Sequence, residues 1–421
     1  MEKRAIMQSA NPLLPNVGFV PERLLAPRQA IVAYLSRVAV APPGTEHVAL
    51  DGAFGRVLAQ PVAADHDYPG AARSAMDGFA LQSRFTPGSF AIVDGVAMGT
   101  APTGALEDAA AMRIPTGGLL PSGADAVVPI EETRAESGRV CVDAKIESGE
   151  NVIPRGADMR RGEPLLAKGR RLRAADIGLL ATLGITQVPV YRRPRIAVIS
   201  SGDELIDPSQ QPRDGEIRDS NRYAIAASLR AMGAAPAHYP TLRDDAEPFI
   251  ASLAPPIAEC DAVVLSGGSS VGERDRLPDA VARAADPGIV VHGLRVKPGK
   301  PTLLGAAGNK PILGLPGNPV SALFILEAVA APIVAALVGA PVEPGSVSAR
   351  LEAEVKGRPG WTWFVPVALR HEGDAVLAHP FGMRSFSVSL GVRADGYVIV
   401  DERDEMLPAG AIATVYRFLG G

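Results

Sequence analysis

Cysteine is scarce in this chain. Cys141 and Cys260 are the only two in 421 residues, with no CxxC spacing, which excludes a disulfide framework and a cysteine zinc site and fits a reducing cytosol. The six histidines are scattered, and none falls into a metal-ligand spacing. Neither sign of charge dominates. Lys and Arg number 42 against 46 Asp and Glu, a formal net charge of −4, so composition offers no electrostatic case for nucleic acid or an anionic membrane. Neither GxGxxG nor GxxxxGK[ST] occurs, which sets aside ordinary dinucleotide and Walker sites.

Long apolar runs are also missing. The start, "MEKRAIMQSANPLLPNVGFVP", has basic residues but no continuous apolar core, so no signal peptide is expected. The most apolar stretch, "ALFILEAVAAPIVAALV" (322–338), carries Glu327 and Pro332. It predicts a buried helix kinked or broken at Pro332 rather than a membrane span. A cytoplasmic protein is the expectation.

What is present is an ordinary globular composition, 47% hydrophobic and 21% charged, in a chain long enough for roughly two to four domains. Its texture changes along the length. "PRQAIVAYLSRVAV" (27–40) reads as an amphipathic helix with Pro27 in its first turn. From about 60 to 150, short β-branched runs between Gly and Pro predict a turn-rich β domain. A helix over about 174–183 stops at Gly184. The basic residues before it (Arg161, Lys168, Arg170, Arg171, Arg173) read as a solvated face.

Residues 195–340 alternate buried strand runs, such as "RIAVIS" and "AVVLS", with helical runs such as "NRYAIAASLRAMG". That is βαβ grammar and predicts a mostly parallel sheet covered on both faces, with ligands at the carboxyl ends of the strands. "GIVVHGLRV" and "PILGL" complete the strands. After Pro344, five short apolar runs predict a C-terminal β domain.

Five loops should open on one edge of that sheet. "AVISSGDELID" and "VVLSGGSSVGERD" follow strands with glycines, serines and acids. "YPTLRDDAE" carries Arg243, Asp244 and Asp245, "RVKPGKPTLLG" carries Lys297 and Lys300, and "LGLPGNPVSAL" opens a helix near Pro319. Glycines and serines there admit close backbone approach and donate to oxyanions. Crowded carboxylates need a divalent cation, for which Mg²⁺ is economical, and the lysines would meet phosphate or another oxyanion. The residues alone point to metal-assisted phosphate-ester chemistry. Each acid also has a plain role: Asp77 as a turn residue before Gly78, Glu204 as a cap for the following segment, Asp244 and Asp275 as helix caps.

The ordered set "SAMDGFA", "SSGDEL", "SGGSSVGERD", "KPGKPTLLG" and "GLPGNPVSA" resembles the MoeA-type molybdopterin molybdenumtransferases, the family to which gephyrin is related, over nearly the whole chain from about residue 27. "PTGGLLPSGADAVVPIEE" and "IRDSNRYAIAASLRAMG" sit where that family has similar segments. The resemblance implies a multidomain α/β plus β protein. A linking domain would join 1–60 with 150–190, a small β domain would cover 61–149, an α/β molybdopterin-binding domain 191–340, and a C-terminal β-barrel-like domain 341–421. It implies a homodimer that takes adenylylated molybdopterin, hydrolyses the adenylate with Mg²⁺ to release AMP, and inserts molybdate. Molybdopterin adenylyltransferase and recipient molybdoenzymes would be its partners.

By the same resemblance, Asp77, Glu204, Asp244 and Asp275 are the catalytic acids, with Glu204, Asp244 and Asp275 toward the metal. Thr116, Ser269, Ser270, Lys297, Lys300, Pro316, Asn318, Pro319 and Ser321 would contact substrate or molybdate. Some positions depart from the pattern. Ser269 stands where the family has Val, and "YPGAARSA" replaces a Pro-rich, acidic lead-in. The Gly-Arg-x-Glu-Phe pattern is "GWTWFVPV" here, and a Gly-Ser-Gly segment is "GMRSFSVSL". These departures keep a second expectation open, a molybdopterin-binding carrier or scaffold paralogue. A third, adenylylation of molybdopterin, belongs rather to single-domain relatives.

Overall fold

A computed structural model describes residues 23–243, 249, 251–268, 277–284, 286–342, 344–382 and 386–419. The chain divides into two compact units, one of residues 60–170 and 174–186, the other holding the rest of the described chain.

The smaller unit is built on a six-stranded sheet in the order Ala126–Pro129, Gly78–Leu81, Ala110–Ile114, Gly88–Gly95, Arg139–Val142, Arg134–Glu136. Its short runs bury Phe79, Leu81, Phe90 and Val128 in one cluster and Ala80, Met112, Ile114 and Val127 in another. Alternate residues of one strand therefore feed two cores. Two-stranded pairs, Val62–Ala63 with Pro164–Leu166 and Arg73–Ser74 with Val152–Ile153, extend the unit.

In the larger unit the expected α/β sheet is present, in the order Ala235–His238, Arg195–Ser200, Ala262–Ser266, Lys310–Leu315, Leu303–Ala307, Pro287–His292. The first three pairings are parallel and the last two antiparallel. Ile196 and Val198 enter one core with Ile225, Leu229 and Phe324. Ala197 and Ile199 enter another with Phe249, Leu253 and Leu277. Burial on both faces is why these strands read as unbroken apolar runs. The helix Asn221–Met232 ends at Gly233, whose φ of 103° the left-handed cap requires. Helix Pro27–Arg37 starts on Pro27 as expected and anchors to the sheet through the buried Tyr34 hydroxyl, which donates to the Gly305 carbonyl at 2.9 Å. Helix Ala174–Thr182 also forms, in the smaller unit.

Three sequence expectations are corrected. "GIVVHGLRV" is not one strand. It ends in the α/β sheet at His292, turns at Gly293, and resumes as Val296–Lys297 beside the C-terminal domain. The antiparallel strand Leu303–Ala307, "LLGAA", went unread because three of its five residues are small and carry no strand pattern. Arg171 is not solvated: it is partly buried and donates to the carbonyls of Gly55 and Met232, the latter at the carboxyl end of a helix. Arg170 pairs with the buried Asp176.

The apolar stretch 322–338 is helical and buried, with the break where Pro332 disallows continuity. Helix Pro319–Phe324 runs into a π-turn, Ile325–Val329, and restarts as Ala331–Val338, bent by 55°. No single helix among the described residues is long and apolar enough to cross a membrane. Glu327 sits in this π-turn and is 5% exposed. It accepts from the Ser228 hydroxyl and the Leu419 amide, while burial pushes its carboxyl above the ordinary range.

The C-terminal strands close into a five-stranded ring: Thr362–Glu372, Ala375–Pro380, Ser346–Leu351, Ile412–Arg417 and Gly396–Val400, which pairs back onto the first. Leu351, Val367, Val398 and Val415 fill it. Val296–Lys297 adds in parallel to its edge, placing Lys297 opposite Trp363.

Candidate functional site

The strand ends of the α/β sheet are stitched together by backbone bonds. Ser201 donates to Ser266 O at 2.9 Å, Gly202 to Leu242 O at 3.1 Å, Gly267 to Leu315 O at 3.1 Å, and Leu242 to Ser200 O at 2.8 Å. Gly267 needs its glycine. Its φ is +91°, and a Cβ there would stand 2.4 Å from the Ser201 carbonyl oxygen. Beneath these loops, the buried Asp219 accepts from the Ser200 hydroxyl at 2.9 Å and from the Arg222 amide at 3.2 Å. Asn221, the first residue of its helix, donates through Nδ2 to the Gly317 carbonyl at 2.7 Å, tying that helix to the Pro316–Pro319 loop.

Two cavities open at this edge and share Asn318. The first, about 430 Å³, is lined by Lys297, Lys300, Pro316, Asn318 and Ser321, the residues picked from the sequence, and also by Arg358, Trp361 and Trp363. The second, about 630 Å³, is lined by Glu204, Asn318 and Pro319 together with Ser201, Asp219, Asn221 and Phe386. Ser201 Oγ is a buried oxygen without a hydrogen-bond partner in this wall, whereas the buried Asp219 Oδ2 is ion-paired to Arg222 Nε at 3.5 Å. Unsatisfied buried oxygens are rare and mark a place for an ion, a water or a ligand donor. A third cavity, about 740 Å³, surrounds Glu327 with Ala224, Leu323 and Phe418, and none of the residues picked from the sequence line it.

Asp77 and Thr116 belong to the smaller unit. There the turn "SAMDG" meets the turn "PTGG": the Thr116 amide donates to Asp77 Oδ1 at 2.7 Å, and Ser74 exchanges backbone bonds with Gly117 and Gly118. Asp244, Ser269, Ser270 and Asp275 lie outside the described residues. Among the described residues no three His, Cys, Asp or Glu side chains converge.

Sequence reasoning missed Asp219 and Asn221, although the polar run "RDSN" directly before a helix was the available signal. It also missed Arg358, Trp361 and Trp363. The tryptophans were seen only as lost charges, because nothing local in "RPGWTW" shows which cations lie against their rings.

The sequence matches three family descriptions in order along its length: MoeA N-terminal region (domain I and II) over 25–184, probable molybdopterin binding domain over 197–336, and MoeA C-terminal region (domain IV) over 348–418. The chain belongs to the MoeA family. Among MoeA relatives, the molybdopterin molybdenumtransferase of Synechocystis is 32% identical over 380 residues, 88% of this chain and 94% of that one. That of Bacillus subtilis is 32% identical over 369 residues, 85% and 86%. The MoeA fold is shared as well. The crystal structure of a molybdopterin biosynthesis MoeA protein from Pyrococcus horikoshii superposes with a TM-score of 0.82 at 26% identity, covering 94% of this chain and all of that one.

Proposed function

We propose that this MoeA-family chain is an enzyme of molybdenum cofactor biosynthesis, a molybdopterin molybdenumtransferase that inserts molybdate into molybdopterin. The observation that carries the reading is the paired cavity at the strand ends, one side lysine-lined and the other holding Glu204 and the unsatisfied Ser201 oxygen, joined at Asn318. An extended anionic substrate with two different ends suits such a pair.

In detail, the substrate is adenylylated molybdopterin. Water cleaves the phosphoric anhydride to give AMP, and the two dithiolene thiols displace one oxo group of molybdate as water. Lys297 and Lys300 hold oxyanion charge as point cations. Asn318 presents its amide between the two cavities, and Pro316 and Pro319 fix the loop that carries it. Ser321, at the start of the following helix, offers a hydroxyl on the lysine side.

Mg²⁺ belongs to this reading. The Glu204 carboxylate and the Ser201 hydroxyl, which has no hydrogen-bond partner, are hard donors that fit it, with Asp244 and Asp275 as further candidates. When bound, magnesium neutralises phosphate charge in the scissile anhydride. Ser269 and Ser270 supply donors to the same phosphates. Asp77, steadied by the Thr116 amide, acts from the β domain of a second protomer in a homodimer. A cytoplasmic setting, with molybdopterin adenylyltransferase upstream and molybdoenzymes downstream, completes the proposal.

The test is AMP release from adenylylated molybdopterin with Mg²⁺, with and without molybdate, alongside the molybdenum content of the product. Molybdate-dependent AMP release with molybdenum retained is the expected result. Tight substrate binding without AMP overturns it in favour of a carrier.

A further inference from the structure

The lysine-lined cavity holds more than its two lysines. The segment 358–363 forms its opposite wall. Trp361 N donates to Arg358 O at 3.0 Å and Gly360 N to Glu402 O at 2.7 Å, so residues 358–361 make a tight turn held onto the barrel. Thr362 N donates to Arg295 O at 3.0 Å, and the parallel register sets Lys297 against Trp363. Two cations therefore lie over two indoles. Lys297 Nζ is 4.0 Å from the Trp363 ring centroid, and Arg358 Cζ is 5.4 Å from that of Trp361.

An indole attracts a cation through its quadrupole but does not cancel its charge, as a carboxylate would. Among the described residues lining this cavity there are three cations and no acid. The volume, about 430 Å³, exceeds what a four-oxygen anion fills and leaves room for the group attached to one.

We propose that Arg358, carried on the Trp361 indole, is the third anion-binding cation of this cavity, and that Trp363 is a positioning residue for Lys297, so that the site takes a tetrahedral oxydianion. The inference rests on the reading of this cavity as the oxyanion end of the substrate site. The dianion is either free molybdate or the phosphate monoester end of a larger ligand, since both are tetrahedral oxyanions of charge −2, with four terminal oxygens in the first and three in the second. The chain carries Trp361 and Trp363 in place of charged side chains, and Arg358 restores a positive charge from the turn before them.

The chain has only two tryptophans, and both line the cavity, so intrinsic emission reports this site directly. The full-length protein is titrated with sodium molybdate, with phenyl phosphate, and with sodium chloride at matched ionic strength. A saturable emission change with either dianion and none with chloride is expected. Molybdate binding more tightly assigns the site to the entering oxyanion. Phenyl phosphate binding more tightly assigns it to the ester. Equal responses to all three salts overturn the proposal.

Arg358→Gln should weaken dianion binding about ten-fold, consistent with the loss of one charge-assisted contact. Trp361→Ala should weaken it less, and Trp361→Phe should restore most of the loss. The double variant Arg358→Gln/Trp361→Ala should bind no worse than Arg358→Gln alone, because the ring acts through the guanidinium. Trp363→Ala should likewise lose affinity that Trp363→Phe regains. Thermal melts establish that each variant is folded. Wild-type affinity in folded Arg358→Gln, or strictly additive losses in the double variant, sinks the assignment. The two readings separate cleanly. Dianion binding lost in Arg358→Gln, in a protein that makes no molybdenum product, keeps the site and removes the transferase. Full transfer with an unchanged KM for molybdate in Arg358→Gln does the reverse.

Discussion

The Thr116 amide donates to Asp77 Oδ1 at 2.7 Å, across 39 residues of chain. The acid that heads one β-strand is thus held by the turn that follows another, Ala110–Ile114, and these two strands pair. Its orientation is set by backbone rather than by a flexible partner.

That bond separates charge from structure. An Asn at position 77 still accepts from the Thr116 amide, whereas Ala does not. Asp77→Asn should keep the wild-type Tm and lower kcat at least ten-fold. Asp77→Ala should lose similar activity and about 1 kcal/mol of stability. Equal activity in Asp77→Asn and wild type would reduce Asp77 to a turn residue.

Gly267 tests the seam between strand ends. A methyl group there meets the Ser201 carbonyl at 2.4 Å in a backbone conformation that other residues avoid. Gly267→Ala should cost at least about 2 kcal/mol, combining clash and strain. Denaturant unfolding measures this directly, and a loss under half that figure means the loop relaxes freely.

Asn221 gauges how far the Gly317 carbonyl must be held. Asn221→Ala removes the 2.7 Å bond and should raise KM several-fold by loosening the Asn318 loop. Asn221→Asp places a carboxylate against that carbonyl and beside an anionic ligand, so its KM should rise further, on the order of ten-fold. Steady-state kinetics on the two variants gives the ranking, and the reverse order contradicts an anion in this cavity.

Glu327 gives a pH dependence with a definite sign. Burial raises its carboxyl above the ordinary 4.5, so the unfolded chain releases its proton first as pH rises. Stability therefore falls from about that ordinary value upward until the folded carboxyl ionises. Glu327→Gln abolishes this loss. Its amide oxygen accepts from Leu419, and the Ser228 hydroxyl reverses to accept from the amide nitrogen. The variant's Tm should exceed wild type more at pH 7 than at pH 4, and a constant difference between the two pH values contradicts the assignment.

The sequence by itself determined the architecture and the lysine side of the site. Strands such as 195–200 and 262–266 are buried on both faces, so their apolar runs are unbroken and visible without a structure. Lys297 and Lys300 stand out in the sequence around a Pro-Gly turn after a strand, and Asn318 and Ser321 through the family resemblance; all four line one cavity. Tertiary structure alone decided what depends on distant partners. Glycine at 293 let one apparent strand serve two sheets. Asp219 became a buried support because two strand ends close over it. The indoles of Trp361 and Trp363 gained a role only when a parallel strand addition set Lys297 beside the second ring. Local sequence records propensity and burial, whereas the meeting of a cation with a ring more than sixty positions away is fixed by the closure of the sheet.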